Sequence, residues 1–359
     1  MTSFKKALGL AVVGLSLLAG AAGAQAEDKA DTLYLFSWSQ YMDPALIKAF
    51  EKRYDVEVVQ NYYESMPKMF AKLQAGGARQ YDVIVPSNYY VPRLIETGLI
   101  QALDQSKLTH LDNIAKRFQD PAYDRNNRYT VPYQWGDTGI AYNADKLGEV
   151  PESWAILFDP KLNSKYPFAL ATDAQVTLGA ACAWLGKPYD CTGRDAWKAA
   201  AREVLATKAR DNFAAFDDGT PVLRQLARGN VAAGMTFNGD FAYYKSENPE
   251  AFKNIKFVVP KEGTELWVDV MAVPKRAPHP DLAHKFIDFL LEAKNGAQLS
   301  NHTFYASPNA AARPYLDALL TRPPAQPSSE QMKRLHYIPS LSGNDLQFVQ
   351  QLWTEVQSR

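Results

Sequence analysis

The residues of this 359-residue chain that could do chemistry are rings set beside hydroxyls, amides and carboxylates. They fall in Trp38-Ser39-Gln40-Tyr41, Ser87-Asn88-Tyr89-Tyr90, Tyr133-Gln134-Trp135-Gly136-Asp137, Thr172-Asp173, Phe237-Asn238-Gly239-Asp240, Trp267-Val268-Asp269 and Phe304-Tyr305. Each reads as the end of a strand, where open α/β sheets bind ligands. Taken singly, each has a plainer explanation: a Trp or Tyr there packs into the core, and an Asp after a strand is usually a helix N-cap. Recurrence in both halves of the chain is what argues for a binding site. Catalysis has no comparable support. There is no G-x-S-x-G, H-E-x-x-H, Gly-rich phosphate loop or C-x-x-C. His110, His279, His284, His302 and His336 lack metal-ligand spacing and read as surface or turn residues. No catalytic residue, metal site or cofactor is expected.

The elements that must position these groups alternate. Leu33–Phe36 reads as a strand, Pro44–Tyr54 as a helix with Asp43-Pro44 as N-cap and first position, and Val56–Gln60 as a strand. Pro67–Gln74 is a helix closed by Gly76-Gly77, Asp82–Pro86 a short buried strand, and Val91–Thr97 a helix. Residues 105–135 are loop-rich, with Thr130–Gly136 extended and leading to a strand at Gly139–Asn143. Further strands are expected near Phe168–Ala171, Ala232–Phe237, Ile255–Val259 and Leu266–Val273. The helices expected alongside are Gln175–Leu185, Asp195–Thr207, Pro221–Arg228, Phe241–Asn248, Pro280–Leu291 and Gln347–Val356. Repeating βα units call for a parallel or mixed sheet. The Pro- and Ser-rich stretch from Leu320 to Ser329 reads as a surface linker.

The N-terminus joins Lys5-Lys6, an apolar run from Ala7 to Ala24, and Ala24-Gln25-Ala26, the parts of a secretory signal peptide cleaved after Ala26. An uncleaved anchor fits less well, because Gly, Ala and Ser dilute the run and Glu27-Asp28-Lys29 follows at once. Removing Lys5 and Lys6 with residues 1–26 takes 39 basic against 39 acidic residues to 37 against 39, a formal charge of −2. Such a surface exerts no long-range pull on nucleic acid or anionic lipid. Cys182 and Cys191, the only cysteines, suit one local structural disulfide in an exported protein.

Together these stretches resemble the periplasmic spermidine/putrescine-binding proteins of ABC importers. The similarity spans essentially the whole mature chain. It is carried by Phe36–Tyr41, Tyr63-Glu64-Ser65 with Met69–Leu73, Tyr81–Tyr90, Ile100–Leu108, Val131–Gly136, Gly234–Asp240, Trp267–Pro274 and Tyr305–Ala311. The resemblance implies the type II periplasmic-binding-protein fold: two α/β lobes joined by crossover strands, closing over ligand in a cleft. On that reading residues 27–136 and 269–305 form one lobe, and 137–268 and 306–359 the other. Trp38, Ser39 and Tyr41 match the family's first binding loop, with Gln40 beside them, and Ser87 and Tyr89 match the second. Asp173 stands where the second lobe offers a carboxylate. Phe237 falls where the family usually has Trp, and Asp240 matches an acid of the putrescine-type members. Trp267 and Asp269 match a ring and an acid at a crossover, and Tyr305 a further ring.

The physics suits a di- or polyamine. Ring faces cover methylenes and attract ammonium groups at roughly 0.5–2 kcal/mol each, while acids must meet charges that closure would otherwise bury unpaired. One departure concerns the acid that spermidine-type members carry three residues after Asp173, where this chain has Val176. Asp137 is a candidate to restore that charge, or else a hinge cap. The resemblance implies a monomeric receptor that passes its amine (putrescine, spermidine, norspermidine, agmatine or a relative) to an inner-membrane permease. Two other outputs are a sensor presenting ligand to a membrane signalling protein and, remotely, an amine-processing hydrolase.

Overall fold

Leu33, Leu35 and Phe36 bury the first strand, β1 (Asp31–Trp38), between two parallel partners, β2 (Val56–Tyr63) and β3 (Val83–Ile84). This is a computed structural model that describes residues 31–359, so the expected signal peptide lies outside the described residues. The turns of this first half are set by short polar side chains. Asp43 caps α1 (Pro44–Tyr54), accepting from the Ala45 amide at 2.8 Å, and its other oxygen takes Gln298 Nε2 at 2.8 Å. Ser65 caps α2 (Met66–Gln74), and α3 (Val91–Glu96) follows the Ser87–Tyr90 turn.

The strand β4 (Thr130–Asn143) is continuous over the two segments expected separately, and its 14 residues hold the two halves together. Short helices α4 (Ala144–Leu147) and α5 (Ala155–Phe158) lead to β5 (Phe168–Leu170), α6 (Ala174–Trp184) and α7 (Arg194–Lys208). Then come β6 (Phe213–Phe216), α8 (Gly219–Ala227), β7 (Ala233–Phe237), α9 (Asn238–Glu247) and β8 (Ile255–Val258). The second long strand, β9 (Thr264–Ala272), returns the chain to the first half, where α10 (Pro280–Leu291) and α11 (Ala293–Thr303) follow. The chain ends in α12 (Ser329–Met332), β10 (Leu335–His336) and α13 (Gly343–Ser358).

Strand order is β2-β1-β3-β9-β4-β7-β5-β6, with β8 added on β4 and β10 on β9. From Thr130 to Asp137, β4 pairs antiparallel with β9, and from Thr138 to Tyr142 it pairs with β7. The switch of partner at Asp137/Thr138 makes β4 and β9 the crossover strands between two α/β halves, as the fold class requires. No helix among the described residues is long and apolar enough to cross a membrane.

Several local expectations change. The strand β6 and helix α11 are additional elements: β6 is short with an exposed middle, and α11 carries Gly296 and a run of Asn, Gln and Ser that dilutes its periodicity. The 320–329 segment is no surface linker. Leu320 and Ala325 are buried, and Asn238 Nδ2 donates to the Pro324 and Ala325 carbonyls at 3.2 and 3.0 Å. His284 is no surface residue either: it is buried in α10, where its Nε2 accepts from the Asp104 amide at 2.9 Å. Cys182 and Cys191 form the expected disulfide.

Candidate ligand-binding cleft

The acid at the centre of the site sits on β9. Side chains two apart on a strand share a face, so Glu265, Trp267 and Asp269 line up as acid, ring, acid. Trp267 and Asp269 are therefore within the strand, not at its end as expected. The reason is length: β9 crosses between both halves, so its middle lies where shorter strands stop. The loop after β3 docks on this stretch, since Pro86 O accepts from Val270 N at 2.9 Å and Asn88 Oδ1 from Val268 N at 3.0 Å. That docking delivers Ser87, whose hydroxyl donates to Asp269 Oδ1. Tyr41 faces Asp269 with its hydroxyl but makes no hydrogen bond of ordinary geometry, and burial followed by the Asp269 charge raises its pKa well above the usual phenol range.

Rings continue outward from this acid. Tyr305 lies edge-on to Trp267 with centroids 4.9 Å apart and edge-on to Tyr41 at 5.6 Å, while Phe237 meets Trp267 edge-on at 6.0 Å. Trp38 packs on Tyr63 at 4.5 Å. Tyr305 follows α11 rather than a strand, and Phe304, which ends that helix at φ 64°, turns it inward. Two glycines allow the close approach. A Cβ on Gly136 would stand 2.4 Å from the Trp267 ring, and one on Gly239 would stand 2.2 Å from the Tyr305 ring.

The second half supplies the opposing acids. Asp173 caps α6, taking the Gln175 and Val176 amides on Oδ1 at 2.8 and 3.1 Å, and offers Oδ2 to the Tyr89 hydroxyl at 3.0 Å. The helix-cap and site readings of this residue are thus both true of one side chain, because a carboxylate has two oxygens. Asp240, in the first turn of α9, takes the Tyr305 hydroxyl on Oδ1 at 2.6 Å and Thr220 Oγ1 on Oδ2 at 3.3 Å. Tyr89–Asp173 and Tyr305–Asp240 both span the two halves, so the cleft is closed.

Electrostatics set this region apart. Asp173, Asp218, Asp240, Glu265 and Asp269 are buried or half-buried, and among the described residues none of the five makes an ion pair. Burial raises the pKa of every one, against the hydroxyls and amides that lower it. Asp269 is pushed up to about 6 and Glu265 to about 8.

Of the sequence candidates, Trp38, Tyr41, Ser87, Tyr89, Asp173, Phe237, Asp240, Trp267, Asp269 and Tyr305 come together here. Ser39 and Gln40 do not join the buried set. They lie exposed on the turn after β1, with Gln40 at φ 56°. Asp137 is not brought to the acids: it is fully buried in β4, both its oxygens lack partners, and burial alone raises its pKa. Glu265 and Asp218 were not picked out from sequence. The period-two spacing Glu265-x-Trp267-x-Asp269 was the available signal for the first, while Asp218 reads simply as a turn before a helix.

Comparison with known proteins places this geometry. Residues 45–327 match the model of the bacterial extracellular solute-binding protein family. A putrescine/cadaverine-binding protein of Pseudomonas aeruginosa is 35% identical over 352 residues, covering 96% of this chain and 98% of that protein. A spermidine/putrescine-binding periplasmic protein of Salmonella typhimurium is 35% identical over 303 residues, 84% of each chain. Among solved structures, a putative spermidine/putrescine ABC transporter protein of Listeria monocytogenes superposes with TM-score 0.82 at 31% identity, over 91% of this chain and 99% of that one. A family model matching residues 45–327, and similarity to binding proteins along nearly the whole length, settle the kind of protein: the chain belongs to the bacterial extracellular solute-binding protein family, whose members are binding proteins and not enzymes.

Proposed function

We propose that this protein is a periplasmic receptor that captures a small cationic amine of the putrescine/spermidine class and delivers it to an ABC-type import permease. The observation that carries the reading is the set of five inward carboxylates without a basic partner. Each buried anion left unpaired costs several kcal/mol, so such a cluster is stable either protonated or neutralised by a cation. The rings of Trp38, Tyr41, Tyr89, Phe237, Trp267 and Tyr305 fit the methylene segments, and Ser87, Tyr89 and Tyr305 hydroxyls accept ammonium protons once their present acid partners turn to the ligand. The names of the similar proteins point to the same ligand class.

Capture works by hinge closure. Ligand contacts to both halves stabilise the closed arrangement over an open one. The partner switch of β4 at Asp137/Thr138, together with Val268–Val270 of β9, supports a hinge in the two crossover strands. With that hinge the lobes would be residues 27–136 with 269–305, and 137–268 with 306–359, except that Pro308 and Asn309 bond Ala115 and Leu291 of the first half. Export requires removal of residues 1–26, which intact mass of the secreted protein would test. The functional test is calorimetry of the mature chain with putrescine, spermidine and agmatine. Saturable binding of at least one amine, lost in Asp269→Asn, is expected; heat from none of them would overturn the reading.

A further inference from the structure

We propose that Glu265 is a ligand-recognising residue that grips a second ammonium group, at the far end of the cleft from Asp269, and so selects amines long enough to reach both ends. The inference rests on the cationic-ligand reading above.

The geometry is that of one strand. Glu265 and Asp269 are four steps apart on β9, which at about 3.4 Å per step sets their Cα atoms roughly 14 Å apart on one face. Trp267 lies midway between them. Acid, ring and acid in a row match charge, methylenes and charge in a linear amine. Two polar atoms along the row independently ask for a ligand. The indole Nε1 of Trp267 has no hydrogen-bond partner on a residue only 7% exposed, and the Tyr41 hydroxyl, 6% exposed, has only Asp269 to face, without a bond of ordinary geometry.

Glu265 itself is 3% exposed, and its hydrogen bond comes from the Thr138 hydroxyl at 2.7 Å. The charged groups that act on it are Asp173 of α6, Asp269 of its own strand and Asp218 ahead of α8. It acts in turn on the hydroxyls of Tyr89 and Tyr189. Among the described residues no basic side chain makes an ion pair with any of these acids. Tyr189 also donates to the Val176 carbonyl at 3.2 Å, so the phenol on which Glu265 acts also bonds the first turn of α6. Glu265 offers an acid on the neighbouring crossover strand, whereas position 176 has a Val. Asp137 does not supply it, since no other acid acts on Asp137.

One end of the cleft is then Asp269 with Ser87, flanked by Asp240 with Tyr305. The other is Glu265 with Asp173 and Tyr89. Burial and the neighbouring acids push Glu265 up to about 8 in the closed form, so an ammonium group arriving at the second end favours its ionised form, and the proton it gives up leaves to solvent.

The test is calorimetry of the mature chain, Glu265→Gln and Asp269→Asn with putrescine and spermidine, at pH 7 in two buffers of different ionisation enthalpy. Gln mimics the neutral acid and keeps the Thr138 bond, and thermal melts establish that both variants fold. Expected for the unmodified chain is net proton release on binding spermidine. In Glu265→Gln that release falls, and spermidine affinity drops at least tenfold with a smaller loss for putrescine. Unaltered affinities and proton release in Glu265→Gln would overturn the proposal and leave Glu265 a structural partner of Thr138. Equal losses for both amines would overturn the length selection. Absence of binding by the unmodified chain, or full binding by Asp269→Asn, would instead overturn the cationic-ligand reading on which it stands.

Discussion

Asp137 on β4 and Glu265 on β9 are both buried acids in neighbouring crossover strands, yet they belong to different regions of the molecule. Glu265 alternates with Trp267 and Asp269, feels three other carboxylates and receives the Thr138 hydroxyl. Asp137 has neither a hydrogen-bond partner for its oxygens nor a charged neighbour, although its backbone N–H donates to Asn238 Oδ1 at 3.1 Å. Burial raises both pKa values, so burial does not distinguish a site acid from a hinge acid. What distinguishes them is company. A group surrounded by like charges with no counter-ion is waiting for one, and a solitary group with no charged neighbour asks for nothing from a ligand.

The largest expected effect is at the centre of the acidic face. Trp267→Ala and Asp269→Ala should each weaken amine binding at least tenfold, about 1.4 kcal/mol, measured by titration calorimetry. Retained affinity in both would dissolve the contrast by showing that neither region binds. Next comes the approach of the two halves. Gly239→Ala pushes a methyl into the Tyr305 ring, and overpacking of this kind costs typically 1–3 kcal/mol. Its Tm should fall and its amine affinity with it; a variant that melts and binds normally would mean that Tyr305 moves freely.

The pH dependence of stability is a subtler probe. The folded, ligand-free chain keeps a proton on Glu265 up to about pH 8 against an ordinary 4.5, and on Asp269 up to about 6 against 3.8. Between those limits the folded state binds more protons than the unfolded one, so stability is highest on the acid side and is lost as pH rises. Saturating amine favours the ionised forms and should flatten that slope. Melting curves from pH 5 to 8, with and without spermidine, measure it, and a ligand-free Tm that climbs across this range would contradict the sign. The smallest effect is reserved for the other region: Asp137→Asn should leave every amine affinity unchanged, because no other acid acts on Asp137 and burial alone raises its pKa. A weakened titration would return it to the site.

Much of this was legible beforehand. Hydrophobic runs bounded by Gly, Pro and Asp located most strands and helices, and α10 matched at both ends because Pro280 opens it and its apolar stripe is unbroken. The ring–acid clusters marked ten side chains that do converge. What was missed has physical causes. Residues in the middle of β9 and β4 lie at the cleft because these strands cross between halves, and strand length is poorly marked in sequence. Glu265 sits in a run where Leu266, Trp267 and Val268 dominate, so a lone acid reads as exposed edge. The 320–329 segment is polar and Pro-rich as a linker would be, yet Asn238, 86 and 87 positions away from the residues it reaches, binds its carbonyls. Contacts of that separation are invisible to local pattern. Ser39 was matched by position in a loop, and position does not decide which way a turn faces.

The central claim is that the closed acidic cleft exists to be neutralised by an amine. Thermal shift of the mature chain with putrescine, spermidine and their uncharged diol counterparts tests it most directly. A ligand held at a thousandfold over its dissociation constant stabilises by about 4 kcal/mol. A saturable rise in Tm is expected with at least one amine and none with the diols. A chain that no amine stabilises, or that the diols stabilise equally, would contradict it.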